Sequence, residues 1–250
     1  MKTNFIMFLF TIFSFSSVAD AQTLRIKDYN YQVRDISSRG LHINDLYQKM
    51  NRKLVRSKDS ICSNRAHMWV WDFKVSDIDS PKIFLFFTPK TGHFDGVSWW
   101  YHVSPLVNQQ GKLWVMDAGY PSKVKGPLSI ANWLRTFNGD TSVCKEIKIS
   151  DTDLIEKMFE GNAFPEETRH GKYNCYYKIT PPGYWTPGQV GKNLLGKDGN
   201  GRPMNFNRDE IDQEEVLEAC IEASTTPLGW VWGTTLNRCR YFINHGTLKI

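Results

Sequence analysis

The chain has 250 residues, of which 41% are hydrophobic, 23% charged and 14% aromatic, with a formal net charge of +5. That composition supports a buried core and excludes a disordered, collagenous or coiled-coil chain. The positive charge is spread along the sequence rather than gathered into a patch, which argues against nucleic-acid binding.

In chain order, residues 1–21 read as a secretory signal peptide. Lys2 precedes an apolar run from Phe5 to Phe15, and Ala19-Asp20-Ala21 supplies a small-residue cleavage site before Gln22. No later stretch approaches the roughly 18 consecutive apolar residues of a membrane span. The expectation is an exported protein, secreted or periplasmic, with no membrane span.

Residues 22–41 read as a short strand and loop. Ile43, Leu46, Tyr47, Met50 and Leu54 recur at three and four residues, predicting an amphipathic helix that ends near Ser57. A second helix follows, capped by Asp59 or Ser60, with Cys62, Ala66, Trp69 and Phe73 on one stripe facing a core. Strand-like segments come next at 83–87, 97–107 and 113–117, rich in aromatic and β-branched residues. Asn108-Gln109-Gln110-Gly111 reads as a four-residue hairpin loop between the last two. Helices are expected over 128–137 and 153–159. The stretch 181–203, dense in proline and glycine, reads as a long loop or linker. A final helix over 209–223 and a tail with Trp230, Trp232, Tyr241 and Phe242 suggest an appended cover. The compact part is thus placed in 22–160, with 161–250 as a loop-rich C-terminal extension or subdomain.

The hairpin carries the chemistry. With a four-residue loop, Val107 faces Lys112 and His102 lies directly opposite Asp117, close enough for an imidazole to carboxylate hydrogen bond. Pro105 cannot donate to the ladder, and a bulge there would slip the register by one residue and separate the pair. A histidine oriented by an aspartate is a general base held in one tautomer, needing a nucleophile on its other nitrogen. Cys62 is the candidate, because unpaired backbone N–H groups at a helix N-terminus favour a thiolate over a thiol. Trp100 shares the His102 face and could line a substrate groove.

Five cysteines, at 62, 144, 175, 220 and 239, leave at least one unpaired within the chain. Four of them form two sequence-neighbouring pairs, 144 with 175 and 220 with 239. That is the most economical of the three pairings open to four cysteines, and it leaves Cys62 free. Arg65 and His67 read as structural, Arg65 anchoring a carboxylate or carbonyls and His67 making a hydrogen bond. No histidine or cysteine spacing suggests a metal. Asp198-Gly199-Asn200-Gly201 reads as a plain turn, since Arg202 stands where a calcium ligand should.

Three segments together carry a resemblance: Cys62-Ser63-Asn64-Arg65-Ala66-His67-Met68, Ser98-Trp99-Trp100-Tyr101-His102-Val103, and Val115-Met116-Asp117-Ala118-Gly119-Tyr120-Pro121. In order and spacing they resemble the motifs of the bacterial protein-glutaminase family, over roughly residues 40–137. The resemblance implies an α+β fold with a papain- and transglutaminase-like core, its nucleophile helix packed on an antiparallel sheet. It implies Cys62 as nucleophile, His102 as general base and Asp117 as its orienter, hydrolysing glutamine side-chain amides in proteins or peptides through a cysteine thioester. No cofactor is implied. The oxyanion would be held partly by the Cys62 backbone N–H, with a second donor not identified. Expected partners are protein or peptide substrates with exposed glutamine, and an inhibitor protein is a further possibility. The rival readings are acyl transfer of the transglutaminase type, a cysteine peptidase, and a non-catalytic binding module on the same scaffold.

Overall fold

A computed structural model describes residues 22–50, 61–88, 100–120, 123–138, 143–148, 150–151, 153–156, 172–196, 208–224, 232–248 and 250. The signal-peptide segment, the capping positions 59 and 60, Ser98, Trp99, Pro121, the turn at 198–201 and Trp230 lie outside the described residues.

A two-stranded hairpin opens the structure, β1 (Leu24–Ile26) and β2 (Tyr31–Val33), followed by α1 (Ile43–Lys49). Next comes α2 (Cys62–Val75), then β3 (Lys82–Phe87), β4 (Tyr101–Gln109), β5 (Lys112–Val115), β6 (Leu128–Ser129), α3 (Ile130–Asn138) and β7 (Cys144–Glu146). The chain continues through β8 (Cys175–Thr180), α4 (Pro187–Leu195), α5 (Gln213–Ser224) and α6 (Trp232–His245). Six strands form one sheet in the order β6-β5-β4-β3-β8-β7, antiparallel except for the edge pair β7–β8. The α+β expectation, a nucleophile helix against an antiparallel sheet, describes this arrangement.

Every residue of β3 is buried, as a central strand covered on both faces requires. Its alternate side chains divide the core. Ile83, Leu85 and Phe87 join α1, Trp69, Phe73 and α3 on one face, while Phe84 and Phe86 join Cys62, Ala66, Val103 and Tyr184 on the other. The strand 175–180, read from sequence as lying beyond the compact part, pairs along the whole length of β3.

Helix α2 is buried on every side rather than along one stripe. Cys62 and Ala66 enter one cluster, Trp69 and Phe73 another, and Met68, Val70 and Trp71 a third built with α5 and α6. A helix covered all round needs a partner for each of its polar side chains. Asn64 donates to Glu222 at 2.8 Å and accepts from the Trp185 indole at 3.1 Å. Asp72 accepts from Thr247 Oγ1 at 2.7 Å and the Leu248 N–H at 2.8 Å, fastening the end of the chain to this helix.

The segment read as a linker contains α4. Thr186 and Gln189 form a capping box, Pro187 occupies the first turn where its missing N–H costs nothing, and Gly196 closes the helix with φ of 63°. Disulfides join Cys144 to Cys175, which are register partners on β7 and β8, and Cys220 to Cys239, linking α5 to α6. Both are the pairs expected from sequence. No helix among the described residues is long and apolar enough to cross a membrane.

Replacing Asp72 by alanine strands the Thr247 and Leu248 donors and should cost about 2 kcal/mol of stability. Urea unfolding of Asp72→Ala beside the parent protein measures this. An unchanged midpoint would show that the C-terminal clamp contributes nothing.

Candidate active site

The hairpin turn is shorter than the sequence reading makes it. Gln109 pairs with Lys112, so the turn consists of Gln110 and Gly111 alone, at φ of 54° and 72°. Two successive left-handed residues make the type of two-residue turn that matches strand twist, and glycine suits the second. Pairing is therefore displaced by two residues from the expected register. Because side chains alternate with period two, a displacement of two preserves every face. Strand β5 also ends at Val115, so Asp117 reaches His102 from the loop beyond the strand rather than as its direct cross-strand partner. His102 Nε2 lies 2.8 Å from Asp117 Oδ2.

That loop is held from several directions. The Tyr47 hydroxyl, on α1, donates to the Asp117 carbonyl at 3.0 Å and also lies 3.2 Å from the Val124 carbonyl. Trp133 of α3 donates its indole N–H to Asp117 Oδ2 at 2.9 Å, and the Gly119 N–H donates to Oδ1 at 3.1 Å. The turn approaches Arg65 closely at Gly119, where a Cβ would lie 3.0 Å from Arg65 Nε. Arg65 thus stands against the turn that carries Asp117.

His102 and Asp117 are each 1% exposed. Burial alone would push the imidazole towards neutrality, yet the Asp117 charge and hydrogen bond, with a further contribution from Cys62, raise it to about 9. Burial likewise works against the Asp117 carboxylate, but His102, Trp133 and the Gly119 N–H together hold its pKa below the usual range. The imidazole is enclosed by rings, with Phe137 at 4.8 Å, Tyr120 edge-on at 5.3 Å and Trp133 stacked at 5.6 Å.

Cys62 is the first residue of α2 and the free cysteine, 7% exposed. Its neighbour Ile61 takes the capping position without a side-chain bond. With His102 Nε2 engaged by Asp117, Nδ1 is the ring nitrogen facing away from the carboxylate. Trp100 is half-buried, tilted on Phe86 at 5.9 Å and edge-on to Tyr101 at 5.1 Å, and it packs against the cluster that contains Cys62. Cys62, His102 and Asp117 are therefore brought together, with Trp100 beside them.

His67 stands apart from this group. Its Nδ1 lies 2.6 Å from the Lys82 ammonium, which also donates to the Tyr184 carbonyl at 2.7 Å. Burial, then the charges of Lys82 and Arg208, hold His67 well below its ordinary pKa, so it is a neutral acceptor. The sequence reading missed Tyr47, Trp133 and Lys82. Trp133 falls within the helix expected over 128–137, which does not tell what its indole N–H meets. A cavity of about 430 Å³ at the other end of α2, lined by Arg34, Lys74, Asp77 and Glu210 among others, contains none of Cys62, His102 and Asp117.

Residues 40–137 match the glutaminase family model. The matched segment runs from before α1 to α3 and includes Cys62, His102 and Asp117. It supports glutamine deamidation as the class of activity, and hence an amidohydrolase. No curated protein matches the chain. Among solved structures, the protein-glutaminase from Chryseobacterium proteolyticum, determined by NMR, is similar over 75% of this chain and 84% of that one. Identity there is 12% and the TM-score 0.35.

A folded-state pKa raised above the unfolded value means that the native protein keeps a proton the unfolded chain releases. Stability from the raised His102 is complete below about pH 6.5 and is lost as pH rises through about 9. Stability from the depressed Asp117 is lost as pH falls below about 3.8. The gap in unfolding midpoint between the parent and Asp117→Asn should be widest near pH 5–6 and shrink towards pH 9. A gap that does not change with pH would contradict the ion pair. Trp133→Phe keeps an aromatic ring but removes a donor from the Asp117 carboxylate, and it should raise the Asp117 midpoint, read by NMR of the labelled carboxyl carbon.

Proposed function

We propose that this chain is an exported, cysteine-dependent protein glutaminase that converts glutamine side chains of proteins or peptides to glutamate and ammonia. The observation that carries this reading is a buried imidazole held at 2.8 Å by a buried carboxylate, on a strand that packs against the helix whose first residue is the free Cys62. The glutaminase match over the same residues names the amide.

In this reading His102 is an imidazolium and Cys62 a thiolate in the resting site, an arrangement favoured by the Asp117 charge behind the ring. The sulfur attacks the glutamine side-chain carbonyl carbon. A C–S bond forms as the carbonyl π pair moves to oxygen, and the oxyanion meets the N–H groups of the first turn of α2, which have no acceptor within the helix. His102 gives its proton to the amide nitrogen, the C–N bond breaks and ammonia leaves. Water, deprotonated by the now neutral His102, attacks the thioester, and the C–S bond breaks to return thiolate and release glutamate. Asp117 stays ionised throughout, holding the imidazole in orientation and compensating its charge. Trp100 lines the approach of the substrate. Export rests on the leader-like residues 1–21 and is compatible with the two disulfides, which persist in oxidising compartments.

Ammonia release from a glutamine-rich protein by residues 22–250, beside Cys62→Ala, tests the proposal. The mass of the treated substrate should rise by one amide-to-acid conversion per event, without cross-links or new chain ends, and the variant should lose activity by at least about 10³-fold. Cross-linked product would instead indicate acyl transfer to amines, and fragments would indicate a peptidase.

A further inference from the structure

Packing on all sides fixes α2 as a body, but a helix frays from its ends, where the first backbone N–H groups have no acceptor within the helix. A capping side chain steadies such an end, as Thr186 does for α4. Helix α2 has no such cap. Ile61 occupies the capping position, makes no side-chain bond to the first turn and is 50% exposed. Yet the first residue of this helix is Cys62, the candidate nucleophile.

What holds the turn comes from the side. The Tyr101 hydroxyl, on β4, donates to Ser63 Oγ at 3.2 Å. Ser63 follows Cys62 on α2, and Tyr101 precedes His102 on β4. The bond thus joins the neighbour of the candidate nucleophile to the neighbour of the candidate base, and consecutive Cα atoms lie only about 3.8 Å apart. Both partners are themselves held. Ser63 is 1% exposed, while Tyr101 stands opposite Phe86 in the ladder and edge-on to Trp100 at 5.1 Å. Successive side chains of a strand point to opposite faces. Tyr101 packs with the cluster of Phe86 and Val103, and His102 with Trp133 and Phe137 on the other side. A bond on one face of β4 therefore anchors the strand whose other face presents the imidazole.

We propose that Tyr101 and Ser63 are positioning residues: their hydrogen bond pins the uncapped first turn of α2 to β4 and so sets Cys62 against His102. Neither side chain makes or breaks a covalent bond or moves a proton in the reaction. Without the tether the first turn is free to shift against the strand, and two consequences follow. An imidazolium held less closely stabilises the Cys62 thiolate less, so the thiol ionises at higher pH. The sulfur and the base also reach the geometry of attack less often, which lowers turnover rather than binding. The effect on turnover rests on the glutaminase reading, whereas the effect on the thiol does not.

A double-mutant cycle of Tyr101→Phe and Ser63→Ala tests the bond, since each change removes one hydroxyl and leaves the ring or the helix in place. The pH profile of Cys62 alkylation by iodoacetamide needs no amide chemistry. Each single variant should move it to higher pH by about half a unit or more, and the double variant should move it no further than either one. Deamidation of a glutamine peptide should fall at least about tenfold in kcat in each variant, with KM little changed. Profiles that superpose on the parent overturn the proposal whatever the activity. A shift in Tyr101→Phe alone assigns the effect to the phenol by itself and also overturns it, as does a double variant whose shift is the sum of the two. Displaced profiles with kcat within threefold of the parent overturn the role in turnover. If the parent alkylates at Cys62 but deamidates nothing, the glutaminase reading falls and the alkylation cycle alone decides the proposal. Should Tyr101→Phe fold poorly, Ser63→Ala decides by itself, because an unmoved profile there leaves the bond without effect.

Discussion

The burial of α2 on every side as far as Phe73 is the constraint from which the remaining structure follows. A helix exposed on one side can rotate or shift by a fraction of a turn when its neighbours change. One packed between a sheet, a second core cluster and a pair of C-terminal helices cannot, because close-packed interiors leave no slack. The first residue of this helix is Cys62, so its immobility becomes the immobility of a sulfur atom. Burial also imposes a demand, since each polar group on the helix must find a partner. Asn64, His67 and Asp72 find theirs in Glu222 and Trp185, in Lys82, and in Thr247 and Leu248. The residues from 172 onward therefore do more than cover the domain: they supply β8, and they satisfy the polar groups of the helix that carries the candidate nucleophile.

The His102–Asp117 pair obeys the same rule at higher stakes. Placing two charges in the interior costs more than their mutual attraction returns unless further donors complete the shell. Asp117 has them, from the Trp133 indole and the Gly119 N–H, while Tyr47 fixes its backbone. Removing such a pair in favour of apolar residues would often be neutral for stability. Its presence, with a raised imidazole and a depressed carboxylate, argues for a functional role held in place by packing.

Much of this was legible in the sequence. The three-and-four spacing of Ile43, Leu46 and Tyr47 located α1, and the run from Cys62 to Phe73 located α2, because helical period and apolar content agree there. The pairing of His102 with Asp117 survived an incorrect turn, since an error of two residues leaves alternation intact where an error of one would have destroyed it. Other features were hidden by competing signals. Thr186, Pro187, Gln189 and Gly196 spell out helix caps, but the surrounding proline and glycine suggested a loop. Lys82 looks like the polar lead-in to a strand and is instead fully buried, because its partners His67 and Tyr184 lie 15 and 102 residues away. Long-range partners of this kind leave no periodic trace.

The cysteines show how local pairing and long-range packing combine. Cys144 and Cys175 are cross-strand partners, and Cys220 and Cys239 face each other between two adjacent helices, so both pairs are brought together by secondary structure that forms near them. Cys62 has no cysteine near it and is 7% exposed, which limits access by other thiols as well as by oxidants. The same packing that shields the sulfur sets its helix against β4, the strand that carries His102. A thiol protected from mispairing and, in the proposed function, a thiol placed for nucleophilic attack are therefore two consequences of one placement, the N-terminus of a buried helix set against β4.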